Sequence, residues 1–199
     1  QDLCGVTARD WYTDAERALL KLKDRVDRAI VVGLSMGGLV TLELAMRHPE
    51  MIAGIVTVAA ALKFADPLSR LTNVIAPFVK YWPSPNAFND ESRKGLSRNY
   101  EKFPTKTFVE LYRYSQEIAD RLTEVHVPIR VIQSKRDQVV AAESANIIYE
   151  KVSSPLREIV WYKESGHEMM QDLEAERVFT DIMEFVCRFE RSPRLHASS

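Results

Sequence analysis

The sequence has few of the features that mark metal-binding, membrane-spanning or nucleic-acid-binding proteins. Only two of its 199 residues are cysteines, Cys4 and Cys187, and their spacing matches no metal or redox motif. We expect two unpaired thiols rather than a disulfide. The longest nearly apolar run, residues 51–62, is too short to span a bilayer. The formal net charge of −1 gives no electrostatic reason to expect nucleic acid or an anionic membrane as a partner.

What remains is the composition of an ordinary globular chain. Since its net charge is small, we expect a neutral small molecule as its ligand. The sequence is 46% hydrophobic and 28% charged, and it is long enough for one substantial core. It contains no internal repeat and nothing that resembles a secretory signal, so we expect a cytoplasmic protein. The chain begins at Gln1 rather than at methionine, as a processed or shortened chain would.

Residues 29–38 contain the most informative motif of the sequence. An apolar, β-branched run ends in Gly-Leu-Ser-Met-Gly, a Gly-x-Ser-x-Gly pattern, and a helical pattern follows at once. A strand, a sharp turn with serine and a helix form the context of a nucleophile elbow, in which the serine hydroxyl projects above the sheet edge. The alternative is a chance meeting of Gly and Ser in a loop, which the flanking elements disfavour. We predict that Ser35 is the nucleophile of an acyl transfer.

The small residues around Ser35 have a steric reason in such a turn. The strand and the helix pass so closely that we expect side chains at Gly33 and Gly37 to collide with the neighbouring element. Met36 is the first residue of the predicted helix, so its amide would point at the oxyanion that forms when Ser35 attacks a carbonyl carbon.

Hydrophobic periodicity predicts alternating helices and strands on both sides of this motif, and the order favours an α/β fold with a mostly parallel sheet flanked by helices. The predicted elements are a helix behind an N-cap at Asp10, strands at 29–33, 52–60, 127–134 and 157–162, and helices at 36–47, 143–152 and 173–189.

Residues 62–125 differ from the rest because prolines break them into short pieces that are rich in aromatic residues. Asp66 and Pro67 predict the start of a helix that runs to about residue 80, and Thr107 with Glu110 predicts a capping box at a second helix. We predict no strand in this segment and take it for a helical cap, solvated because it carries many charges. The predicted division is core at 1–61 and 126–199, with the cap at 62–125 inserted between them.

A serine nucleophile needs a histidine as general base, and the sequence has only four histidines. His48 lies at a predicted helix end, His126 at the start of a strand, and His196 in the polar tail. His167 lies in the loop after the last predicted strand, which opens on the same carboxyl edge of the sheet as the elbow. A solvated surface histidine is the ordinary alternative, but this placement favours His167 as the base.

The histidine in turn needs a carboxylate to orient it. Asp137 lies just beyond the predicted strand at 127–134 and therefore at the same edge, and the chain order Ser, Asp, His is the one expected on this fold. The sequence has 28 acidic residues, so Asp137 could instead pair with its basic neighbours, and Asp120 or Glu143 are weaker candidates.

With Ser35, Asp137 and His167 in this order, the chain resembles an α/β-hydrolase, and within that superfamily the small bacterial carboxylesterases and monoacylglycerol lipases. The resemblance extends to residues 10–12, 33–38, 144–149 and 165–167, which read Asp-Trp-Tyr, Gly-Leu-Ser-Met-Gly-Gly, Ser-Ala-Asn-Ile-Ile-Tyr and Ser-Gly-His. It implies hydrolysis of monoacylglycerols or short-to-medium acyl esters, without a metal or other cofactor.

One feature of the resemblance has no counterpart in this sequence. Members of the family carry further strands ahead of the first helix, and a His-Gly-aromatic loop after one of them supplies a second oxyanion amide. We therefore expect the sheet to be uncovered on one side, and the chain to be a fragment or to meet another chain there.

An apolar slot between sheet and cap would hold the acyl chain of a small apolar ester. Plain core packing is the alternative role for each candidate lining residue. The candidates are Met36, Leu62, Phe64, Val74, Phe78, Phe108, Leu111, Ile118 and Val139.

Three hypotheses about function follow from these residues. The leading one is a serine carboxylesterase. The second keeps the same triad for thioester hydrolysis, acyl transfer or perhydrolysis, because one fold and triad serve several chemistries. The third is a catalytically impaired scaffold that binds a ligand or a partner.

Overall fold

The computed structural model describes residues 5–96 and 102–190, so Cys4 and His196 lie outside the described residues. In chain order, the helices and strands are α1 (Ala8–Leu20), β1 (Ala29–Leu34), α2 (Met36–Arg47), β2 (Ile52–Val58), α3 (Thr72–Ile75), β3 (Tyr81–Pro83), β4 (Lys102–Pro104), α4 (Thr105–Arg121), β5 (Ile129–Ser134), α5 (Glu143–Lys151), β6 (Arg157–Tyr162) and α6 (Ala175–Glu190).

The main sheet has four strands in the order β1-β2-β5-β6, and every neighbouring pair is parallel. Because all four strands run the same way, their carboxyl ends meet at one edge of the sheet. The last residue of β1, Leu34, pairs with Val58, and Val58 pairs with Ile132 of β5. The loops that follow β1, β5 and β6 therefore open side by side.

Helices flank this sheet on both faces. One buried cluster contains Ile118 of α4, Ile148 of α5 and Ile55 of β2, and a second contains Phe185 of α6 and Val56 of β2. Successive residues of a strand point to opposite faces of the sheet, so the two clusters lie on opposite sides. The predicted class, a mostly parallel sheet between helices, is confirmed.

The segment between β2 and β5 contains two departures from the sequence prediction. β3 and β4 form an antiparallel pair in which Tyr81 pairs with Pro104, where we predict no strand. Each strand is only three residues long and contains proline, so neither shows a readable alternation. The helix predicted from Pro67 to about residue 80 is also too long, because helical backbone ends at Ala76, before Pro77. The division into core and cap remains our proposal.

Two predicted helix caps are corrected by the structure. Thr7, not Asp10, is the N-cap of α1, and Asp10 is the third helical residue, whose carboxylate accepts a hydrogen bond from the Thr7 amide at 2.8 Å. α4 begins directly after Pro104 without a side-chain cap, so Thr107 and Glu110 do not form the predicted box. Capping patterns recur within a few residues of one another, and the sequence alone does not fix which of them is used.

A buried carboxylate fixes α4 to α2. Glu43 of α2 is 5% exposed and accepts hydrogen bonds from the Tyr114 hydroxyl at 2.6 Å and from Nε of Arg47 at 2.7 Å. Burial and the hydrogen bond to Glu43 raise the pKa of Tyr114 well above its ordinary value. Tyr114 therefore stays protonated and holds α4 against α2.

β1 forms one edge of the sheet as far as the structure describes it. Its residues are apolar or glycine, as is typical of a strand inside a parallel sheet, yet Val32 is 39% exposed. The expectation of an uncovered strand on this side therefore agrees with the described residues. A further chain or segment against β1 remains a prediction.

The close passage of β1 and α2 depends on glycine at position 33. A Cβ placed on Gly33 would lie 2.2 Å from the Gly37 carbonyl oxygen and 2.4 Å from Oγ1 of Thr41. A Cβ on Gly37 would meet nothing within 4 Å, so the predicted collision at that position is wrong. The crowded partner on the helix is Gly38 instead, where a Cβ would lie 2.7 Å from Cβ of Ala60.

We expect Gly33→Ala to lower the free energy of unfolding by about 3 kcal/mol, because backbone atoms must move to make room. Gly37→Ala is the matched control, and it should stay within about 1 kcal/mol of wild type since alanine favours helix. Urea unfolding followed by circular dichroism measures both. Equal losses in the two variants would show that steric contact at Gly33 is not what constrains this turn.

Candidate active site

Ser35 lies on the turn between β1 and α2 in a backbone conformation that L-residues rarely adopt. Its φ is 55° and its ψ is −117°, which stores strain of about 1–3 kcal/mol. Main-chain hydrogen bonds hold it there: its amide donates to the Val58 carbonyl at 2.9 Å, and its carbonyl accepts from the amides of Gly38 and Ala61 at 3.0 and 3.1 Å. The strain is thus imposed by β2 and α2, which fix the direction of the serine side chain.

The structure brings Ser35 and His167 into hydrogen-bond contact although they are 132 residues apart in the chain. Nε2 of His167 lies 2.9 Å from Oγ of Ser35. His167 follows β6 and is 5% exposed. A buried imidazole at this distance is placed to take the hydroxyl proton.

Asp137 lies on the other side of the same imidazole. Its Oδ2 is 2.9 Å from Nδ1 of His167, and its side chain is fully buried. Oδ1 accepts hydrogen bonds from the amides of Val139 and Val140 at 2.9 and 2.8 Å, and Oδ2 accepts a further one from Nε2 of Gln133 at 3.1 Å. Four donors suit an ionised carboxylate, which only accepts hydrogen bonds.

Gln133 is a neighbour of the site that sequence reasoning missed. It is 1% exposed on β5, and its amide donates to Asp137. The available signal was a polar residue at the end of an otherwise buried strand, at the carboxyl edge where the candidate loops meet.

The structure separates the other candidate bases and acids from Ser35. His48 lies 2.7 Å from Oε1 of Glu16 and 3.2 Å from the Tyr12 hydroxyl, and His126 is exposed. The hydrogen bond from Tyr12 lowers the pKa of Glu16, which places a carboxylate beside His48. This cluster connects α1 with the end of α2.

Of the alternative acids, Glu143 lies 3.4 Å from Nζ of Lys63, and Asp120 is exposed on α4. Among the described contacts, neither of these two carboxylates reaches His167, and Asp137 is the carboxylate beside it.

Met36 is the first residue of α2. The first four amides of a helix have no partner within the helix, so the Met36 amide is available next to the Ser35 hydroxyl. Its role as an oxyanion donor remains a prediction.

The predicted lining residues differ in how deeply they are buried. Leu62 and Ile118 are 2% and 0% exposed and belong to the core cluster. Phe64 packs on Phe108 with ring centroids 4.8 Å apart. Leu111 and Val139 pack, partly buried, against the core cluster, as Phe64 does.

Val74 and Phe78 are 67% and 86% exposed, so the structure places them on the surface and not in an enclosed slot. Phe78 instead lines a groove of about 1220 Å³ whose lining does not include Ser35, Asp137 or His167. The helix predicted from Pro67 to about residue 80 would contain both residues, but α3 is only four residues long and Phe78 lies beyond its end.

The described residues show neither a metal-binding cluster nor a helix that could cross a membrane. Residues 5–96 and 102–190 contain no group of three His, Cys, Asp or Glu side chains that could hold a metal ion. Among the helices described, none is long and apolar enough to cross a membrane. Cys187 on α6 is a half-buried free thiol.

Residues 7–174 match the hydrolase family described as serine aminopeptidase, S33. The match covers most of the chain and includes the elbow, Asp137 and His167. The chain belongs to this family.

Two bacterial proteins are similar in sequence to nearly the whole of this chain. A carboxylesterase of Bacillus subtilis (strain 168) is 28% identical over 187 residues, which are 94% of this chain and 75% of the relative. A thermostable monoacylglycerol lipase of Bacillus sp. (strain H-257) is 31% identical over 189 residues, which are 94% of this chain and 74% of the relative.

Solved structures give the same fold. A structure from work on LipS and LipT, two metagenome-derived lipolytic enzymes, superposes with a TM-score of 0.86 at 27% identity, over 94% of this chain and 76% of that one. The monoacylglycerol lipase of Paleococcus ferrophilus superposes with a TM-score of 0.78 at 16% identity, over 92% and 76% of the two chains. The S33 family member described here therefore has an α/β-hydrolase fold.

Proposed function

We propose that this protein is a carboxylic ester hydrolase that works through an acyl-enzyme on Ser35. The observation that carries the proposal is the row of contacts from Ser35 through His167 to Asp137, two hydrogen bonds of 2.9 Å each. The family match and the esterase and lipase relatives support an ester as the substrate.

In the first half of the reaction, Nε2 of His167 accepts the proton of the Ser35 hydroxyl while Oγ forms a bond to the ester carbonyl carbon. Asp137 accepts a hydrogen bond from Nδ1–H of His167, which keeps the proton on Nδ1 and leaves Nε2 free to act as the base. The carbonyl oxygen becomes an oxyanion, and the Met36 amide donates a hydrogen bond to it.

In the second half, His167 returns its proton to the alcohol oxygen as the carbon–oxygen bond breaks. The alcohol leaves, and the acyl group stays on Ser35 as an ester. Water then attacks the acyl carbon while His167 takes one of its protons, and the same proton returns to Oγ of Ser35 as the acid departs. No step requires a cofactor.

We propose short-to-medium acyl esters or monoacylglycerols as substrates. The relatives carry this proposal, together with the aromatic pair Phe64 and Phe108 beside the partly buried Leu111 and Val139. Apolar side chains that are only partly buried can take up an acyl chain with little rearrangement.

A panel of matched substrates tests the reaction class. We expect the purified protein to hydrolyse p-nitrophenyl esters and monoacylglycerols with acyl chains of four to twelve carbons, and to leave the amides of the same acids essentially intact. Thioesters of the same acids separate the esterase from the thioesterase hypothesis. Faster turnover of thioesters or amides, or no ester hydrolysis by the folded protein, would contradict the proposal.

A further inference from the structure

The loop that carries His167 is held by carboxylates that the sequence analysis did not single out. We propose that Asp172 is a positioning residue for His167, because it ties the histidine loop to a strap of the cap, residues 87–90. The proposal rests on the proposed function, in which His167 is the general base.

Asp172 is fully buried and accepts three main-chain hydrogen bonds. Oδ2 accepts from the amide of Gly166 at 2.6 Å and from the amide of Asn89 at 2.8 Å, and Oδ1 accepts from the amide of Asp90 at 2.9 Å. Gly166 directly precedes His167, while Asn89 and Asp90 belong to the strap. One side chain thus joins the two segments through both of its oxygens.

Further contacts hold the strap against the same loop. The Glu168 amide donates to the Ala87 carbonyl at 3.0 Å, so the strap bonds directly to the residue after His167, whereas Asp172 connects it to the residue before. Nδ2 of Asn89 donates to the Glu164 carbonyl at 2.7 Å, and Gln138 donates to Oδ1 of Asn89. The strap therefore contacts the loop both before and after His167 in the chain.

The packing at Gly166 shows how little room this contact leaves. A Cβ on Gly166 would lie 2.7 Å from the Ala87 carbonyl oxygen and 2.9 Å from Oε1 of Gln138. A shift of the strap toward or away from the loop must therefore move Gly166 or open a gap beside it. His167 is the next residue, so its imidazole would move with it.

Glu174 holds the beginning of the same loop in a similar way. Its Oε2 accepts from the amides of Glu164 and Ser165, both at 2.9 Å, and its own amide donates to Oγ of Ser165 at 2.9 Å. Burial opposes the charge, but the hydrogen bonds from these main-chain amides outweigh it and lower the pKa of Glu174. Glu174 contacts no part of the strap in these bonds, so of the two buried carboxylates Asp172 is the one that couples the loop to the strap.

Asparagine cannot replace Asp172 in this role. An amide side chain keeps one acceptor oxygen but presents an NH₂ group where the second oxygen stood. If that NH₂ group faces Gly166 and Asn89, both amides lose their acceptor and the loop is released. If it faces Asp90, the oxygen keeps Gly166 and Asn89, but the strap loses its second bond and two donors meet. The side chain keeps its size, so Asp172→Asn changes the contact with little change in packing.

We expect Asp172→Asn to lower kcat for a p-nitrophenyl ester by about 10- to 100-fold with KM within twofold of wild type, because a misplaced base affects the chemical step. The second-order rate constant for inactivation by a fluorophosphonate should fall by a similar factor. That reaction stops at the adduct on Ser35, so it tests the alignment of Ser35 and His167 without ester turnover.

Asp10→Asn is the matched control, since it removes a carboxylate that accepts the main-chain amide of Thr7 on α1. It should lose stability without losing kcat. Asn89→Ala is the second variant, because it removes the side-chain bonds of the strap to Glu164 and Gln138 and keeps its main-chain amide. It should lower kcat less than Asp172→Asn, again at constant KM.

The outcomes separate this proposal from the proposed function. If wild type neither hydrolyses esters nor reacts with the fluorophosphonate, the proposed function fails. If wild type is active and folded Asp172→Asn keeps kcat within twofold, or changes only KM, the positioning role is overturned. If Asp172→Asn does not fold, Asn89→Ala decides whether the strap affects His167 at all: a lower kcat at constant KM supports the coupling on which the role of Asp172 depends, and an unchanged kcat overturns it.

Discussion

Replacement of Ser35 by alanine is expected to lower kcat for ester hydrolysis by about 10⁴- to 10⁶-fold, the largest effect that this account predicts for a single side chain. The hydroxyl is the atom that forms the acyl bond, and water in its place would lack both the covalent intermediate and the fixed approach to the carbonyl. Steady-state hydrolysis of a p-nitrophenyl ester, corrected for the spontaneous rate, measures the loss.

The serine variant needs a control for the general effect of removing a hydroxyl. Ser153→Ala removes an exposed hydroxyl that donates to the Thr123 carbonyl at 2.8 Å, and kcat should stay within twofold of wild type. Circular dichroism should show both variants folded. A Ser35→Ala protein that keeps more than about 1% of wild-type kcat would place the nucleophile elsewhere.

Asp137→Asn is expected to lower kcat by about 10⁴-fold through the tautomer of His167. The amides of Val139 and Val140 both donate to Oδ1, so the oxygen of the asparagine side chain should stay on that side. Its NH₂ group would then face Nδ1 of His167. An imidazole that accepts at Nδ1 carries its proton on Nε2, and it cannot take the proton of Ser35.

The two alternative acids supply matched controls for this prediction. Asp120 is exposed on α4, and Glu143 lies beside Lys63, so Asp120→Asn and Glu143→Gln should each keep kcat within twofold of wild type. Steady-state kinetics of the three variants on one ester gives the comparison. A large loss in either control together with a small loss in Asp137→Asn would assign the orienting carboxylate to the wrong residue.

The parts of the site that could be predicted are those that local sequence determines. β1, the turn at Ser35 and α2 are contiguous, and their apolar run, small residues and helical pattern predict α2 with the bounds that the structure shows. The placement of Asp137 and His167 needed one further rule, that loops after parallel strands open at the same edge.

The residues that could not be predicted act through contacts between distant segments. Asp172 and Gln133 are two among many polar residues in the sequence, and only the packing of the cap strap and of β5 distinguishes them. The steric role of Gly38 likewise depends on Ala60, which lies beyond the helix in the chain. Spacing along a chain does not encode such distances.

The cap shows a second limit of sequence patterns. β3 and β4 contain three residues each, which is too short for a period of two to be recognised. Val74 and Phe78 both belong to the helix predicted from Pro67 to about residue 80, but the helix ends before Phe78 and both side chains are exposed. Elements held by tertiary packing are therefore the ones whose bounds and faces were missed.

Mapping of a fluorophosphonate adduct by peptide mass spectrometry tests the central claim most directly. We expect folded wild type to carry the adduct on Ser35, at one equivalent per chain, and expect Ser35→Ala to carry none. The measurement reads the nucleophile itself, without assuming any substrate. A folded protein in which Ser35 stays unmodified, or in which another residue takes the adduct, would contradict the account.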